Sequence, residues 1–318
     1  MVDLMAKKNI FFVLSILIFL TGIVATFVNG VKLDIQFQGG TIMQIQMPND
    51  NFDTERAGAI VESTIGKRAS VQKSTTYNPD DPSKEITLMV LNIGSSQTLN
   101  DTERADVLTA LRKEFNIPNE AQITVNSVAP FIGDEIKTNA TYAIILSAII
   151  IILYVWYRFR IMHGLSAGVF AVLALVHDCF VMYAVYVLFR IPINDSFVAA
   201  VLTIIGYSIN DTVVIYDRIR ENTRILRKMP IHELVNKSVM QTLARSINTS
   251  ICTLLSVVIL YVFAAYFNIS SLKDFSFPLV VGIISGCYST IFIASPLYMV
   301  WQERNLKKKA AARKAAKA

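Results

Sequence analysis

The sequence predicts a polytopic α-helical membrane protein that carries one folded domain outside the lipid. Of its 318 residues, 53% are hydrophobic and only 17% are charged, and the mean hydropathy is +0.47. An ordinary soluble domain has about 25% charged residues. Six apolar runs are long enough to cross a bilayer, which takes about 20 residues of helix. The runs are Ile10–Val28, Ala140–Tyr157, Leu165–Phe189, Phe197–Tyr216, Ile247–Phe267 and Phe275–Trp301.

The first run belongs to residues 1–29, which are predicted to hold a short cytoplasmic N-terminus and the first membrane helix. Lys7 and Lys8 precede the run, so a cleaved secretory signal is the alternative interpretation. The apolar stretch is long for the core of a signal peptide, and no small-x-small site ends it cleanly. Both features favour a membrane helix.

Lysine and arginine in the short loops predict the orientation. They cluster on the side that holds both termini, whereas the short loops on the other side contain only Arg190 and Lys273. The termini are therefore expected in the cytoplasm and residues 30–137 outside it. Residues 304–318 form a basic cytoplasmic tail that can touch anionic lipid headgroups. The net charge of +6 reports this topology and does not indicate nucleic-acid binding.

Residues 30–137 are predicted to form a small α+β sandwich of ferredoxin-like type. Alternating apolar residues indicate strands, and helical spacing indicates helices. The elements are strands Val31–Phe37 and Thr41–Met47, helix Thr54–Ile65, strands Ser70–Thr75 and Glu85–Asn92 around a polar turn at 78–82, helix Thr102–Phe115 with a capping-box pattern before it, and strand Ala121–Val128. The domain contains no histidine or cysteine, so no catalytic role is predicted for it.

Residues 138–303 are predicted to hold membrane helices two to six, with a cytoplasmic loop at 217–244. The loop has an amphipathic helical pattern that Pro230 interrupts. Such a segment lies on the membrane face or against a partner, or it is a simple connector. The pattern alone leaves both interpretations open.

The fourth run contains a carboxylate, Asp211, within an otherwise apolar helix. A carboxylate costs about 2.5–3.5 kcal/mol near a bilayer centre on insertion scales, so a chain that keeps one there is expected to use it. Asp211 lies roughly 7 Å from the centre of its run, toward the cytoplasm. Tyr207, Ser208 and Asn210 gather beside it, and this polar side is expected to face other helices. The alternative is a carboxylate that snorkels near a helix end.

A buried carboxylate needs a partner, and Arg245 opens the fifth run on the adjacent antiparallel helix. Polar residues continue from it along one face, at Thr249, Thr253 and Ser256. We therefore expect Asp211 and Arg245 to face each other across a polar seam. Arg245 could instead be an ordinary positive anchor at the membrane surface.

The third run carries His177 and Asp178 near its middle. Asp178 is expected to join the polar seam, and His177 could titrate near neutral pH. The alternative is a hydrogen-bonded pair that holds the bundle together. An intramembrane aspartyl protease that uses Asp178 and Asp211 is disfavoured, because the Gly-x-Gly-Asp context of such enzymes is missing.

Small residues in the membrane runs predict close helix contacts rather than chemistry. They are Gly206 in the fourth run and Gly282, Gly286 and Ser289 in the sixth. The segment Gly164-Leu165-Ser166-Ala167-Gly168 matches the Gly-x-Ser-x-Gly pattern of a nucleophile elbow, but no predicted strand precedes it. Cys179, Cys252 and Cys287 lie inside apolar runs without metal-ligand spacing, so no metal site is predicted.

Three segments carry a resemblance that covers essentially the whole chain. They are Gly206–Val214 with Asp217–Asn222, then Thr242, Leu243 and Arg245, and then Phe275, Ser276, Gly282, Gly286 and Ser289. In these segments the chain resembles the SecF branch of the SecD/SecF family, bacterial protein-export membrane subunits related to resistance-nodulation-division exporters. Two motifs depart from the family pattern: Gln36 replaces the family's Asp before Phe37-Gln38-Gly39-Gly40, and Ala129 replaces its Gly before Pro130.

The resemblance implies a function, a location and partners. It implies six helices of a resistance-nodulation-division-type half, in the bacterial inner membrane. It also implies an accessory of Sec protein export that pairs with SecD, assists the SecYEG channel with YajC and YidC nearby, and acts on the emerging unfolded polypeptide. The proton gradient is the energy source, and no cofactor or enzymatic activity is expected. A proton-coupled half-transporter for lipid or small molecules is the alternative.

The resemblance also assigns residues. It implies that Asp211 and Arg245 belong to the proton path, and the helical spacing adds Ser208, Asn210 and Asp178 beside them. The joint between the outer domain and the membrane is expected at Gly39, Gly40, Pro130 and Gly133.

Overall fold

The computed structural model describes residues 3–49, 51–67, 69–77, 85–94, 99–159, 164–267 and 269–315. The first half of this chain holds α1 Lys8–Asn29, α2 Ile35–Gln38, β1 Gly40–Gln46, α3 Thr54–Ile65, β2 Ala69–Tyr77, β3 Glu85–Gly94, α4 Asp101–Phe115 and β4 Ile123–Val128. The second half holds α5 Pro130–Arg158, α6 Gly164–Leu188, α7 Asp195–Ile225, α8 Ile231–Tyr266, α9 Ser270–Ser289, a π-helical turn Thr290–Ala294 and α10 Ser295–Ala315.

Six helical segments of the described chain are long and apolar enough to span a membrane, which confirms the predicted count. α1, α5, α6, α7 and α8 supply one segment each, and α9 continues through the π-helical turn into α10 as the sixth. Pro296 explains the turn, because it lacks the N–H that an α-helix would bond to Phe292. Ser295 Oγ donates to the Thr290 carbonyl across this widened turn, at 3.0 Å.

Residues 40–128, called the outer domain for their predicted location, form the predicted ferredoxin-like sandwich. Its sheet has the order β2-β3-β1-β4, and all neighbouring strands are antiparallel. One sheet face packs on α3 and α4 around a core of fully buried aliphatic side chains. The members of this core include Met43, Ile45, Val61, Met89, Leu91, Val107 and Leu111. The predicted capping box is present, since Asn100 accepts from the Glu103 amide and the Glu103 carboxylate accepts from the Asn100 amide.

The predicted first strand, Val31–Phe37, is wrong. Asp34 accepts a hydrogen bond from the Ile35 amide and caps the short helix α2 instead. The residue before it, Leu33, forms a single parallel bridge with Ile193 in the loop between α6 and α7. The alternation of apolar residues predicted a strand here. Alternation does not show which segment of the chain supplies the backbone hydrogen-bond partners. The predicted polar turn at 78–82 lies outside the described residues.

The predicted joint residues lie where the outer domain meets α5. Gly39 and Gly40 have φ angles of 75° and 140°, which favour glycine. A Cβ on Gly133 would lie 2.7 Å from the Phe37 carbonyl oxygen, so glycine allows α5 to pack closely against α2. Pro130 begins α5, where its missing N–H costs nothing. Movement at this joint stays a prediction.

The segment at 217–244 consists of the ends of two long helices, with Pro230 immediately before α8. Its apolar side chains, Leu234, Val235 and Val239, are buried against Ile215 and Ile219 of α7. Asn222 Nδ2 also donates to Ser238 Oγ at 2.8 Å. The apolar face is therefore covered by the chain's own helices, which supports the connector interpretation.

Residues 32–34, in the linker from α1 to the outer domain, are hydrogen-bonded to the α6–α7 loop, and we call this contact the clamp. The Asp34 amide donates to the Ile193 carbonyl, and the Ile193 amide donates to the Lys32 carbonyl, both at 2.9 Å. Burial raises the pKa of the Asp34 carboxyl; hydrogen bonds from the Ile35 and Gln36 amides oppose this, and the Asp195 carboxylate adds to it. The Asp274 carboxylate also faces Asp34.

This geometry predicts that the clamp tightens in acid. When the pKa of a carboxyl is higher in the folded state than in the unfolded state, its protonated form stabilises the fold. This stabilisation is fully present at pH values below the unfolded-state pKa, and it is lost as the pH rises through the folded-state pKa. Asp34→Asn keeps the cap and removes the charge, so the variant is expected to hold the clamp as firmly at neutral pH as in acid. Hydrogen exchange of the peptide around Ile193 measures this, with the exposed Asp106→Asn as control. The same pH dependence in Asp34→Asn and the unchanged protein would contradict the interpretation.

Candidate proton-transfer site

Asp211 lies on the face of α7 that is turned into the helix bundle. It is only 5% exposed. Its carboxylate accepts one hydrogen bond, from Ser250 Oγ of α8 at 3.5 Å, and the Tyr207 hydroxyl donates to the same Ser250 oxygen at 3.3 Å. A single long hydrogen bond leaves most of the acceptor capacity of a carboxylate unused. Asp211 is therefore a buried acid with room to accept a proton.

The expected ion pair between Asp211 and Arg245 is not formed in the described part of the chain. Arg245 is exposed, although it is close enough to act on Asp211 electrostatically. α8 presents Ser250 to Asp211, and Arg245 lies about 7 Å further along the α8 axis, toward its N-terminal end. Spacing along two segments of a sequence does not fix the register of two antiparallel helices, so the sequence could not show that Ser250, rather than Arg245, would bond to Asp211.

A cavity of about 680 Å³ lies between the C-terminal half of α7 and the N-terminal half of α8. Val214 and Arg245 line the end of the cavity nearer to Asp211, and Arg224 lines the end farther from it. Val214 is one helical turn from Asp211. The cavity, which has polar lining residues, therefore reaches to within about one helical turn of Asp211.

Asp178 forms a second and different polar cluster. It is fully buried, and its carboxylate accepts hydrogen bonds from three serine hydroxyls of two other helices. The donors are Ser208 Oγ of α7 at 2.8 Å, Ser285 Oγ of α9 at 2.6 Å and Ser289 Oγ of α9 at 2.8 Å. Such a carboxylate ties α6, α7 and α9 together. Ser208 thus serves Asp178, although the sequence placed it beside Asp211.

His177 is buried beside this cluster. Its Nδ1 lies 3.4 Å from Asp178 Oδ1, and its Nε2 has no hydrogen-bond partner in the described chain. The ring packs between Phe19 of α1 and Tyr288 of α9, at centroid distances of 5.7 and 5.8 Å. Among the described residues, the hydrogen bonds from this pair to other helices are made by Asp178, and a role of Asp178 in proton transfer stays a prediction.

Asn210 and Gly206 lie on a different face of α7. Asn210 is exposed and so is Gly206, where an added Cβ would meet nothing within 4 Å. Gly206 therefore makes no close contact within the described chain and its expected packing role stays a prediction, and Asn210 does not join Asp211. The polar residues of α7 divide between an inner and an outer face because consecutive helical positions are about 100° apart.

Gly282 and Gly286 lie where α9 meets α7 closely, as the small-residue ridge predicts. A Cβ on Gly282 would overlap the Ile204 side chain, and one on Gly286 would lie 3.1 Å from Ser208 Cβ. This close approach allows the serines of α9 to reach Asp178. Gly164 begins α6, so the nucleophile-elbow text lies in a helix.

Sequence reasoning missed Ser250 and Ser285 and assigned Ser289 to packing alone. Thr212 and Thr290 were also missed, and their hydroxyls lie 3.1 Å apart beside the π-helical turn. The available signal was the spacing of Ser285 and Ser289, which places two hydroxyls on one helix face opposite a buried acid. No group of three metal-ligating side chains occurs among the described residues.

Residues 107–304 match the family described as "Protein export membrane protein SecD/SecF, C-terminal". The chain belongs to the SecD/SecF family. A relative named Protein translocase subunit SecF, from Alicyclobacillus acidocaldarius, is 35% identical over 99% of this chain and 97% of its own length. The Protein translocase subunit SecDF of Brucella abortus is 38% identical over 86% of this chain but only 34% of its own length.

A solved structure of the family agrees with the fold. The crystal structure of SecDF from Thermus thermophilus, described as a translocon-associated membrane protein, matches with a TM-score of 0.77 at 30% identity. The match covers 95% of this chain and 39% of that chain. This chain therefore corresponds to one part of SecDF and to nearly the whole of the separate SecF subunits.

Proposed function

We propose that this chain is the SecF-type subunit of the Sec export machinery and that it uses the proton-motive force, together with SecD, to help unfolded polypeptides leave the SecYEG channel. YajC and YidC are further candidate partners. The observation that carries the proposal is Asp211, a buried and nearly unpaired carboxylate in a membrane helix. Acids within membrane helices that lack a full set of partners often mark proton relays or ion pathways.

Protonation of Asp211 removes a charge from the contact between α7 and α8. The change alters the balance of interactions with Ser250 and Arg245, and so the preferred packing of the two helices. One charge that moves through the membrane potential supplies about 2.3 kcal/mol per 100 mV, which suffices for a modest rearrangement. The cavity that ends at Arg245 gives the proton an exit on the side that we assign to the cytoplasm.

The same helix carries the signal to the outer domain. α7 begins at Asp195, whose amide donates to Gln36 Oε1 of α2 at 3.1 Å. Asp211 lies 16 residues further along, which is about 24 Å on the helix axis. A shift of α7 therefore displaces α2 and the outer domain, which in the proposed orientation meets the emerging polypeptide. Both termini and the basic tail then lie in the cytoplasm.

SecD fits the unpartnered polar face of the membrane helices. Gly206 and Asn210 of α7 are exposed at membrane depth, and so are Arg245, Asn248 and Thr249 of α8. Polar groups and small residues of this kind are typical of helix–helix contacts, whereas lipid leaves them unsatisfied. The Brucella relative carries the name SecDF, which is consistent with the two halves working together. Gly206 then allows a SecD helix, rather than one of this chain, to pack closely.

A photo-cross-linking residue at Asn210 is expected to capture SecD in native membranes. Ile145 of α5, which is 51% exposed on an apolar face, provides the matched control. Asn210 should give a SecD adduct that is at least several times stronger than the one from Ile145. Equal adducts from both positions, or none from Asn210, would refute this interface.

A further inference from the structure

We propose that the cavity between α7 and α8 is a binding site for a phosphate group. Four arginines line it, Arg218, Arg220, Arg224 and Arg245, against two acids, Asp217 and Glu221. Its volume of about 680 Å³ is ample for a phosphate or a phospholipid headgroup. This excess of positively charged side chains in the lining indicates an anionic ligand.

The two acids of the cavity are already paired. Arg220 forms an ion pair with Asp217 at 2.8 Å, and Asp217 also accepts from Arg158 at 2.7 Å. Arg218 pairs with Glu221 and donates to Gln241. No acidic side chain of the cavity is left over for a further arginine.

Arg224 is a guanidinium group of the cavity for which the described residues show no acidic partner, whereas Arg245 acts electrostatically on the buried Asp211. Arg224 lies at the end of the cavity that is farther from Asp211, where an anionic ligand can contact it. The planar fork of arginine matches the geometry of phosphate oxygens, and such charge-assisted hydrogen bonds are among the stronger ones. The unpaired guanidinium group of Arg224, in a cavity lined by four arginines and only two acids, therefore favours a phosphate over a halide or a neutral solute.

The surroundings of the cavity suit a lipid. Ile225 at its rim is 68% exposed, and α8 carries an exposed apolar row, Ile251 and Leu255, roughly 80–120° around the helix from Arg245. An acyl chain can lie along this row while the headgroup phosphate occupies the cavity. Basic pockets between membrane helices on the cytoplasmic side bind anionic headgroups in this way. Inorganic phosphate offers the same chemistry without the acyl chain.

The experiment measures binding rather than secretion, so its outcome does not depend on the proposed function. The full-length protein is expected to retain phosphatidylglycerol from mixed phosphatidylglycerol–phosphatidylcholine micelles, as detected by native mass spectrometry. Arg224→Gln should weaken this retention at least tenfold, and Arg224→Lys should weaken it less because the charge remains. Arg56→Gln, an exposed arginine of α3 in the outer domain, is the matched control and should have no effect.

A second arm identifies the source of the phosphate. Millimolar inorganic phosphate is added to protein that has been freed of lipid, and its protection against thermal unfolding is compared in the same variants. Protection that Arg224→Gln abolishes supports free phosphate, and retention of phosphatidylglycerol alone supports the headgroup. Equal binding of both probes by Arg224→Gln and the unchanged protein overturns the site. Loss of both when SecD is co-purified also overturns it, because the partner would then fill the cavity.

Discussion

Replacement of Asp211 by asparagine is expected to abolish the stimulation of secretion by the proton-motive force while the protein stays assembled in the membrane. Asparagine has nearly the same shape as aspartate, and its carbonyl oxygen can still accept from Ser250. It cannot bind and release a proton. Packing between α7 and α8 should therefore persist, whereas the alternation between charged and neutral states is lost.

The measurement is translocation of a secreted protein into inverted membrane vesicles, with and without a proton gradient. The gradient should accelerate the reaction with the unchanged protein and should have no effect with Asp211→Asn. Asp106→Asn in the outer domain makes the same chemical change at an exposed position and should behave like the unchanged protein. Full stimulation with Asp211→Asn would remove Asp211 from the proton path.

The fold was largely predictable from sequence because two signals reported it directly. Long apolar runs fixed the six spans, and alternation fixed β1, β3 and β4 of the outer domain. The failure at Val31–Phe37 has a physical reason. A short extended segment that pairs with a distant loop, as Leu33 does with Ile193, has the same local pattern as a strand in a sheet.

The sequence shows which charged groups are costly to bury in a membrane helix, but it does not show which hydrogen-bond donors offset that cost. The site was therefore predictable only in part. Asp211 and Asp178 stood out because carboxylates are rare in apolar runs. Their true partners, Ser250 and Ser285, are common residues whose importance depends on helix register and rotation. Arg245 was the natural guess for a partner of Asp211 by charge, yet the structure places a hydroxyl there.

Replacement of Asp178 by alanine is expected to have the largest effect on stability. Three buried hydroxyls, on Ser208, Ser285 and Ser289, would lose their common acceptor. Buried polar groups without a partner cost about 1–3 kcal/mol each, and partial rearrangement of the hydroxyls reduces the sum, so we expect a loss on the order of 3 kcal/mol. Reversible unfolding of the purified protein in mixed micelles measures this, with Cys179→Ala on the same helix as the control.

Asparagine at the same position separates structure from proton transfer. Asp178→Asn keeps one acceptor oxygen for the serines and is expected to recover most of the stability that alanine loses. If Asp178 mainly ties α6, α7 and α9 together, this variant should retain gradient-driven secretion, unlike Asp211→Asn. A stable Asp178→Asn protein that no longer responds to the gradient would instead place Asp178 on the proton path. The two carboxylates are therefore distinguished by the same conservative change, because Asp178 has three hydroxyl donors and Asp211 has one.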